Sequence, residues 1–263
     1  MPEGDTVWRS CQRLNEALAG RVLTRCEFRV PQLATTDLTG TVVREVVSRG
    51  KHQLFRFDND FTLHTHFRIE GSWRIYPRGA PWTGGPDWQV RSVLATAGHD
   101  AVGYRLPVTE LLATADEHTV VGHLGPDLLG PDWSLTEALR RINTEPDRSV
   151  GEALLDQRNL AGIGTFYRSE LLFLQGLHPR TPVRVVRDFS RVVQRGKQLL
   201  YANRWRTEQT TTGDLRNGKR TYVFERPQLP CRRCGTQIET EEFGPRGQER
   251  RSYWCPRCQP AVS

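Results

Sequence analysis

Cys231-Arg232-Arg233-Cys234 and Cys255-Pro256-Arg257-Cys258 are two Cys-x2-Cys knuckles separated by twenty residues. Four thiolates at this spacing suit a tetrahedral zinc ion, whereas two disulfides would need an oxidising compartment. The chain opens Met1-Pro2-Glu3, with an acid where a signal peptide carries basic residues, and no apolar run approaches the roughly 20 residues of a membrane span. A cytoplasmic protein with one closed, structural zinc site is therefore expected. The metal should hold a ribbon hairpin that carries Arg250 and Arg251. Cys11 and Cys26 lack paired spacing and read as core cysteines.

Ahead of the knuckles the pattern is helical. Ser134-x-x-Glu137 and Ser149-x-x-Glu152 are capping boxes that should open two short helices. Leu160-Ala161-Gly162-Ile163-Gly164-Thr165 then interrupts with two glycines before a helix from Phe166 to Gln175 that stops at Gly176, and a longer helix follows from Phe189 to about Trp205. A glycine turn between two helices can present backbone N–H groups to a phosphate, although it is also an ordinary way to pack helices. The long helix places Arg191, Arg195 and Lys197 opposite its apolar side, a face that solvent alone would also explain.

Gly125-Pro126 and Gly130-Pro131 mark the start of this helical part, and the linker is expected there. Before it lie short β-branched and aromatic segments, at residues 22–28, 42–47, 53–57, 61–66, 72–76, 90–95 and 101–106, the pattern of a sandwich or barrel. A helix from Thr6 to Ala19 precedes them, with Val7, Cys11, Leu14 and Leu18 on one face and Asp5 or Thr6 as its cap. Residues 1–125 carry 14 Lys/Arg against 14 Asp/Glu and residues 126–263 carry 23 against 16, so the whole net charge of +7 sits in the C-terminal half. That asymmetry favours a polyanion, most simply nucleic acid.

Pro2 has a further implication. Once Met1 is removed, its secondary amine titrates near pH 8, well below a lysine, and an amine beside the Glu3 carboxylate suits Schiff-base chemistry.

Pro2-Glu3-Gly4, Arg49-Gly50-Lys51, Leu155-Asp156-Gln157 through Gly164, and Tyr253-Trp254-Cys255-Pro256 together resemble the formamidopyrimidine-DNA glycosylase and endonuclease VIII family, in order and over essentially the whole chain. Gly71-Ser72-Trp73-Arg74 and the Met-Pro-Glu-Gly-Asp-Thr-Val opening look like the endonuclease VIII branch and its actinobacterial members. The resemblance implies an α+β multidomain protein: a catalytic β-sandwich with an N-terminal helix (1–125), a helix-two-turns-helix DNA-binding domain (126–226) and a four-cysteine zinc ribbon (227–263).

The implied activity is a bifunctional DNA glycosylase and abasic-site lyase of base-excision repair that removes oxidised pyrimidines from double-stranded DNA, acting as a monomer. Alternatives are an oxidised-purine glycosylase, decided by the loop from Thr210 to Arg220, and a non-catalytic zinc-ribbon DNA-binding protein. Carried over by position, Pro2 is the nucleophile, Glu3 the general acid, Lys51 serves the first elimination and Arg250 the second. Arg68, Ile69 and Glu70 would fill the gap left by a flipped nucleotide. His66, His123, Gly164 and Thr165 would touch DNA, and Cys231, Cys234, Cys255 and Cys258 would hold zinc. Glu70, Thr165 and Thr6 depart from the family pattern, which often has an aromatic, an asparagine and a glutamate at these places.

Overall fold

A computed structural model describes residues 2–261 except 245, 246 and 248. Two compact units divide the chain: Pro2 with residues 6–123, and residues 3–5 with the chain from Leu124 onward.

The first unit holds helix α1 (Gly4–Leu18) from its third residue on, with eight strands: β1 (Arg25–Phe28), β2 (Val43–Arg49), β3 (His52–Phe57), β4 (Phe61–His66), β5 (Ser72–Pro77), β6 (Val90–Ala95), β7 (His99–Tyr104) and β8 (Val108–Ala113). They form two antiparallel four-stranded sheets, ordered β1-β6-β7-β5 and β2-β3-β4-β8. Phe28, Leu94 and Ala101 from one sheet and Val43, Phe55 and Leu63 from the other share a core with Val7, Cys11, Leu14 and Leu18 of α1. This is the expected sandwich, with the amphipathic helix contributing to its core.

Three expectations need correction. The helix begins at Gly4 and not at Thr6, so neither Asp5 nor Thr6 caps it. Val22 makes only an isolated bridge to Val42, and the first strand starts at Arg25. β8 lies beyond the expected segments, the last of which ends at residue 106, and Val108–Ala113 pairs in full register with β4.

The second unit contains α3 (Leu135–Ile142), α4 (Val150–Leu155), α5 (Thr165–Gln175) and α6 (Phe189–Asn203), around Leu154, Leu160, Ile163, Leu171, Val193 and Leu200. A short α2 (Glu117–Val121) closes the first unit. Both serine N-caps form: the Ser134 hydroxyl accepts from the Glu137 amide at 3.2 Å and Ser149 from the Glu152 amide at 3.3 Å, while the Glu137 carboxylate pairs with Arg140 and Arg141 and that of Glu152 accepts from the Ser149 hydroxyl at 2.6 Å. Each such cap contributes about 1 kcal/mol. α5 ends where expected, on Gly176 at φ 67°, and the Leu177 amide reaches back to the Leu172 carbonyl at 2.9 Å. Last comes the hairpin β9 (Glu239–Phe243) and β10 (Arg250–Trp254).

Candidate active site and zinc ribbon

The N-terminal turn is built into the second unit. The Gly4 amide donates to the Gly162 carbonyl at 2.9 Å, and a Cβ on Gly4 would lie 2.9 Å from the Gly162 Cα. Gly162 itself sits at φ 115°, a region that side chains disfavour. Two glycines thus let two backbones touch and set Glu3 against the start of α5.

Glu3 is fully buried. Its carboxylate accepts from the amides of Gly164 at 2.6 Å, Phe166 at 2.7 Å and Tyr167 at 3.3 Å. These are amides that α5 leaves without intrahelical partners, and they add to the positive end of its dipole, so the cradle favours a negative charge on Glu3. The structure therefore corrects the expectation that the glycine turn offers these amides to a phosphate. The Gly164 N–H is committed to Glu3, and Thr165 is only 7% exposed.

Sequence reasoning passed over four residues here. The buried Asp5 carboxylate accepts from the Tyr167 hydroxyl and the Gln209 amide, each at 2.8 Å. Burial and then the Asp5 charge push the Tyr167 phenol far above its ordinary range, so it remains a donor. Arg168, fully buried, donates to the Arg251 carbonyl at 2.6 Å and so ties α5 to the strand carrying Arg250, which is exposed. Burial pushes Arg168 down to about 10. Glu170 accepts from the amides of Tyr222, Val223 and Phe224 at 2.7–2.8 Å and from Thr211, fixing both flanks of the segment between them. Burial raises its carboxyl against the pull of those donors. A glutamate six residues after Gly164 is a hint in sequence, and a weak one.

The four knuckle cysteines converge with their Sγ atoms within 4.8 Å of one another, 3.9 Å between Cys231 and Cys258 and 3.4 Å between Cys234 and Cys255. A tetrahedral centre with Zn–S bonds of about 2.3 Å needs sulfurs about 3.8 Å apart, so the donor set fits one structural zinc with no open position. Phe173, Val223, Ile238 and Tyr253 pack around it.

In the first unit, Pro2 lines a cavity of about 720 Å³ together with Thr6, Arg9, Ser10, Trp73 and Tyr76. Lys51 follows Gly50 (φ 58°) in the hairpin between β2 and β3. The tip between β4 and β5 projects Ile69, 71% exposed. Arg68 adopts φ 51°, and its amide donates to His66 Nδ1 at 2.9 Å, which fixes the turn. No ion pair joins Arg68 to Glu70 among the described residues. Instead the Glu70 carbonyl accepts from Arg105 at 3.3 Å.

His66 is half-buried and His123 exposed, and both belong to a cluster with His52 and His64, which sequence reasoning missed. The signal was present as alternation: His64 and His66 share one face of β4, opposite His52 on β3.

Three models of known families match the chain in sequence: the formamidopyrimidine-DNA glycosylase N-terminal domain over residues 1–125, the H2TH domain of the same glycosylase over 124–209, and the zinc finger found in FPG and IleRS over 228–261. Among curated relatives, the "Probable endonuclease 8 2" of Streptomyces coelicolor is 53% identical over 261 residues, covering 98% of this chain and 94% of the relative. The "DNA-(apurinic or apyrimidinic site) lyase Nei2" of Mycolicibacterium smegmatis is 48% identical over 262 residues, covering 99% and 100%. The crystal structure of Lactococcus lactis formamidopyrimidine-DNA glycosylase, non-covalently bound to DNA containing an AP site, superposes with a TM-score of 0.80 at 22% identity over 99% of this chain and 100% of that one. At that identity the likeness speaks for the fold.

Proposed function

The chain belongs to the formamidopyrimidine-DNA glycosylase and endonuclease VIII family, and on that premise we propose that it is a bifunctional DNA glycosylase and abasic-site lyase that excises oxidised pyrimidines and cleaves the strand by β,δ-elimination. The observation that carries this reading is the docking of Glu3 on α5 through three backbone amides, which fixes the residue adjoining the proline nucleophile. Residues 1–125 carry the chemistry, 126–226 dock DNA and 227–263 form the ribbon. The protein works as a monomer on double-stranded DNA in the bacterial cytosol.

The chemistry follows from an amine at Pro2. Its lone pair attacks C1′ of an everted nucleotide, the glycosidic bond breaks, and the base departs with its electron pair and takes a proton from solvent. Glu3 takes the N–H proton of the attacking amine and passes it to O4′, the C1′–O4′ bond breaks, and the open sugar is held as an iminium with Glu3 again a carboxylate. The iminium acidifies the C2′–H, so elimination breaks the C3′–O bond with Lys51 in attendance, and a second elimination breaks C5′–O. The Arg250 guanidinium clamps the departing phosphate through charge-assisted hydrogen bonds. Ile69 wedges into the stack beside Arg68 and Glu70, while His66 and His123 lie along the DNA path.

Borohydride trapping on abasic-site DNA tests the reading. A covalent adduct is expected, and Pro2→Gly should abolish it. A folded, zinc-loaded protein that gives no adduct would instead be a DNA-binding module. Met1 lies outside the described residues, and intact-mass measurement decides whether it leaves Pro2 free. Comparing release of thymine glycol, 5-hydroxyuracil and 8-oxoguanine tests the lesion class, and preferential release of 8-oxoguanine would overturn the pyrimidine assignment.

A further inference from the structure

Four of the seven histidines in the chain gather in the first unit. His52 Nδ1 lies 2.8 Å from His64 Nε2, and His64 Nδ1 lies 3.3 Å from Glu110 Oε2 on β8. The His66 ring meets His52 edge-on at 4.8 Å between centroids, and His123 does so at 6.2 Å. His64 is only 4% exposed, whereas the Glu110 side chain is half-exposed. A hydrogen-bonded path therefore runs from the half-exposed Glu110 through His64 to His52, whose ring lies edge-on to His66.

The carboxylate sets the direction of that path. An ionised Glu110 only accepts, so His64 Nδ1 carries a hydrogen and its Nε2 has a lone pair. That lone pair takes the hydrogen of His52 Nδ1, and His52 Nε2 is left bare as a base. A proton added there turns His52 into imidazolium without setting donor against donor, because Nδ1–H still points to His64 and His64 Nδ1–H still points to Glu110.

Burial favours the neutral form of His52, His64 and His66 in the free protein. Burial, then the neighbouring His66, His64 and His123 and the Arg68 charge, push His52 down to about 2. Burial, Arg68 and Lys51 push His66 down to about 4. His64 is also lowered by burial, with Glu110 opposing. An anion placed among Lys51, Arg68 and His66 cancels the cationic part of that field and raises the imidazoles.

We propose that His52 and His64 are positioning residues that join Glu110 to His66 in one proton-accepting network, so that a DNA phosphate arriving at His66 is met by a proton drawn from solvent and DNA binding takes up protons. This rests on the reading that His66 and His123 face DNA. The coupling is thermodynamic: if the bound form holds one proton more, affinity weakens up to tenfold for each unit rise in pH.

The test uses the full-length, zinc-loaded protein and a duplex with a tetrahydrofuran abasic analogue, which binds without being cleaved. Calorimetry in buffers of different ionisation enthalpy counts protons directly, and titrations from pH 5.5 to 8 at fixed ionic strength give the slope of log Kd. Uptake is expected to rise as pH falls from 8 to 5.5, toward and below the ordinary imidazole range near 6.5, with a flat profile at pH 8 from this network. Glu110→Gln and His64→Gln should each reduce the uptake while affinity at pH 8 stays that of the parent. If His64→Gln does not fold, Glu110→Gln at its half-exposed position decides. Any contribution of the Pro2 amine falls nearer pH 8 and survives both substitutions. No proton uptake by the parent, or full uptake in both variants, overturns the network alone. Failure to bind the duplex at any pH overturns both it and the proposed function.

Discussion

Glu3 and His52 are both taken out of water, and the chain treats them in opposite ways. In the second unit Glu3 meets three backbone amides at the mouth of α5, donors that cannot titrate and cannot turn away. In the first unit His52 meets other imidazoles, each able to gain or lose a proton, and one carboxylate two links off. The difference separates two uses of burial. Fixed dipoles draw Glu3 back to its carboxylate after each proton it passes on, while a chain of weak bases leaves the charge to be decided by what binds.

The largest effect should come from breaking the fixed half. Glu3→Ala leaves three amides buried without an acceptor, each costing about 1–3 kcal/mol, and removes the acid, which general acid catalysis values at on the order of 10²–10⁴-fold. Glu3→Gln restores the volume but points an amide NH₂ at N–H donors, so it should be destabilised as well, by about 1–3 kcal/mol. Thermal unfolding together with single-turnover base release measures both. A Glu3→Gln protein as stable as its parent would mean that the cradle does not depend on a carboxylate.

A smaller disturbance tests whether the approach of the two backbones is what aligns the cradle. Ala at Gly162 must adopt φ 115° with its Cβ 3.2 Å from Leu200 Cδ2, and Ala at Gly4 must sit 2.9 Å from the Gly162 Cα. Backbone strain of this kind costs about 1–3 kcal/mol. Gly162→Ala should therefore lower stability by that amount and slow base release, while the proton uptake of the histidine network stays as in the parent. A change in that uptake would show that the two devices are not separate.

How far each half could be read from sequence follows from the same distinction. The helix ends, serine N-caps and cysteine knuckles are local signals, written within three or four residues of where they act, and they appear as expected at Ser134, Ser149, Gly176 and the four thiols. The cradle of Glu3 joins residues separated by more than 160 positions, and nothing near Glu3 announces that the amides of Gly164, Phe166 and Tyr167 will meet it. The resemblance placed Pro2, Glu3, Lys51 and Arg250 by position, but it gave no account of Asp5, Arg168 or Glu170, whose partners lie across the fold. The cluster around His52 depends on strand register. Shifting β3 by one residue against β4 would turn His52 to the opposite face.

The titratable half should reveal itself on acidification. In the folded protein His52 is pushed down to about 2 and His66 to about 4, mainly by burial, while in the unfolded chain each returns to about 6.5. Between those values the unfolded state binds more protons, so the stability these neutral rings contribute is complete above pH 6.5 and is lost as pH falls toward 4. The loss rises to about 1.4 kcal/mol per pH unit for each ring, or about 2 kcal/mol per ring at pH 5. The amides at the start of α5 are bonded to Glu3, so they should not share it. Hydrogen exchange, corrected for intrinsic rates, should show β3 and β4 losing protection between pH 7 and 5 while α5 keeps its own. His52→Phe, which cannot be protonated, should remove about half of the difference. Equal loss in α5, or an unchanged slope in His52→Phe, would mean that acid acts through carboxylates elsewhere and that the contrast between the two regions is one of geometry alone.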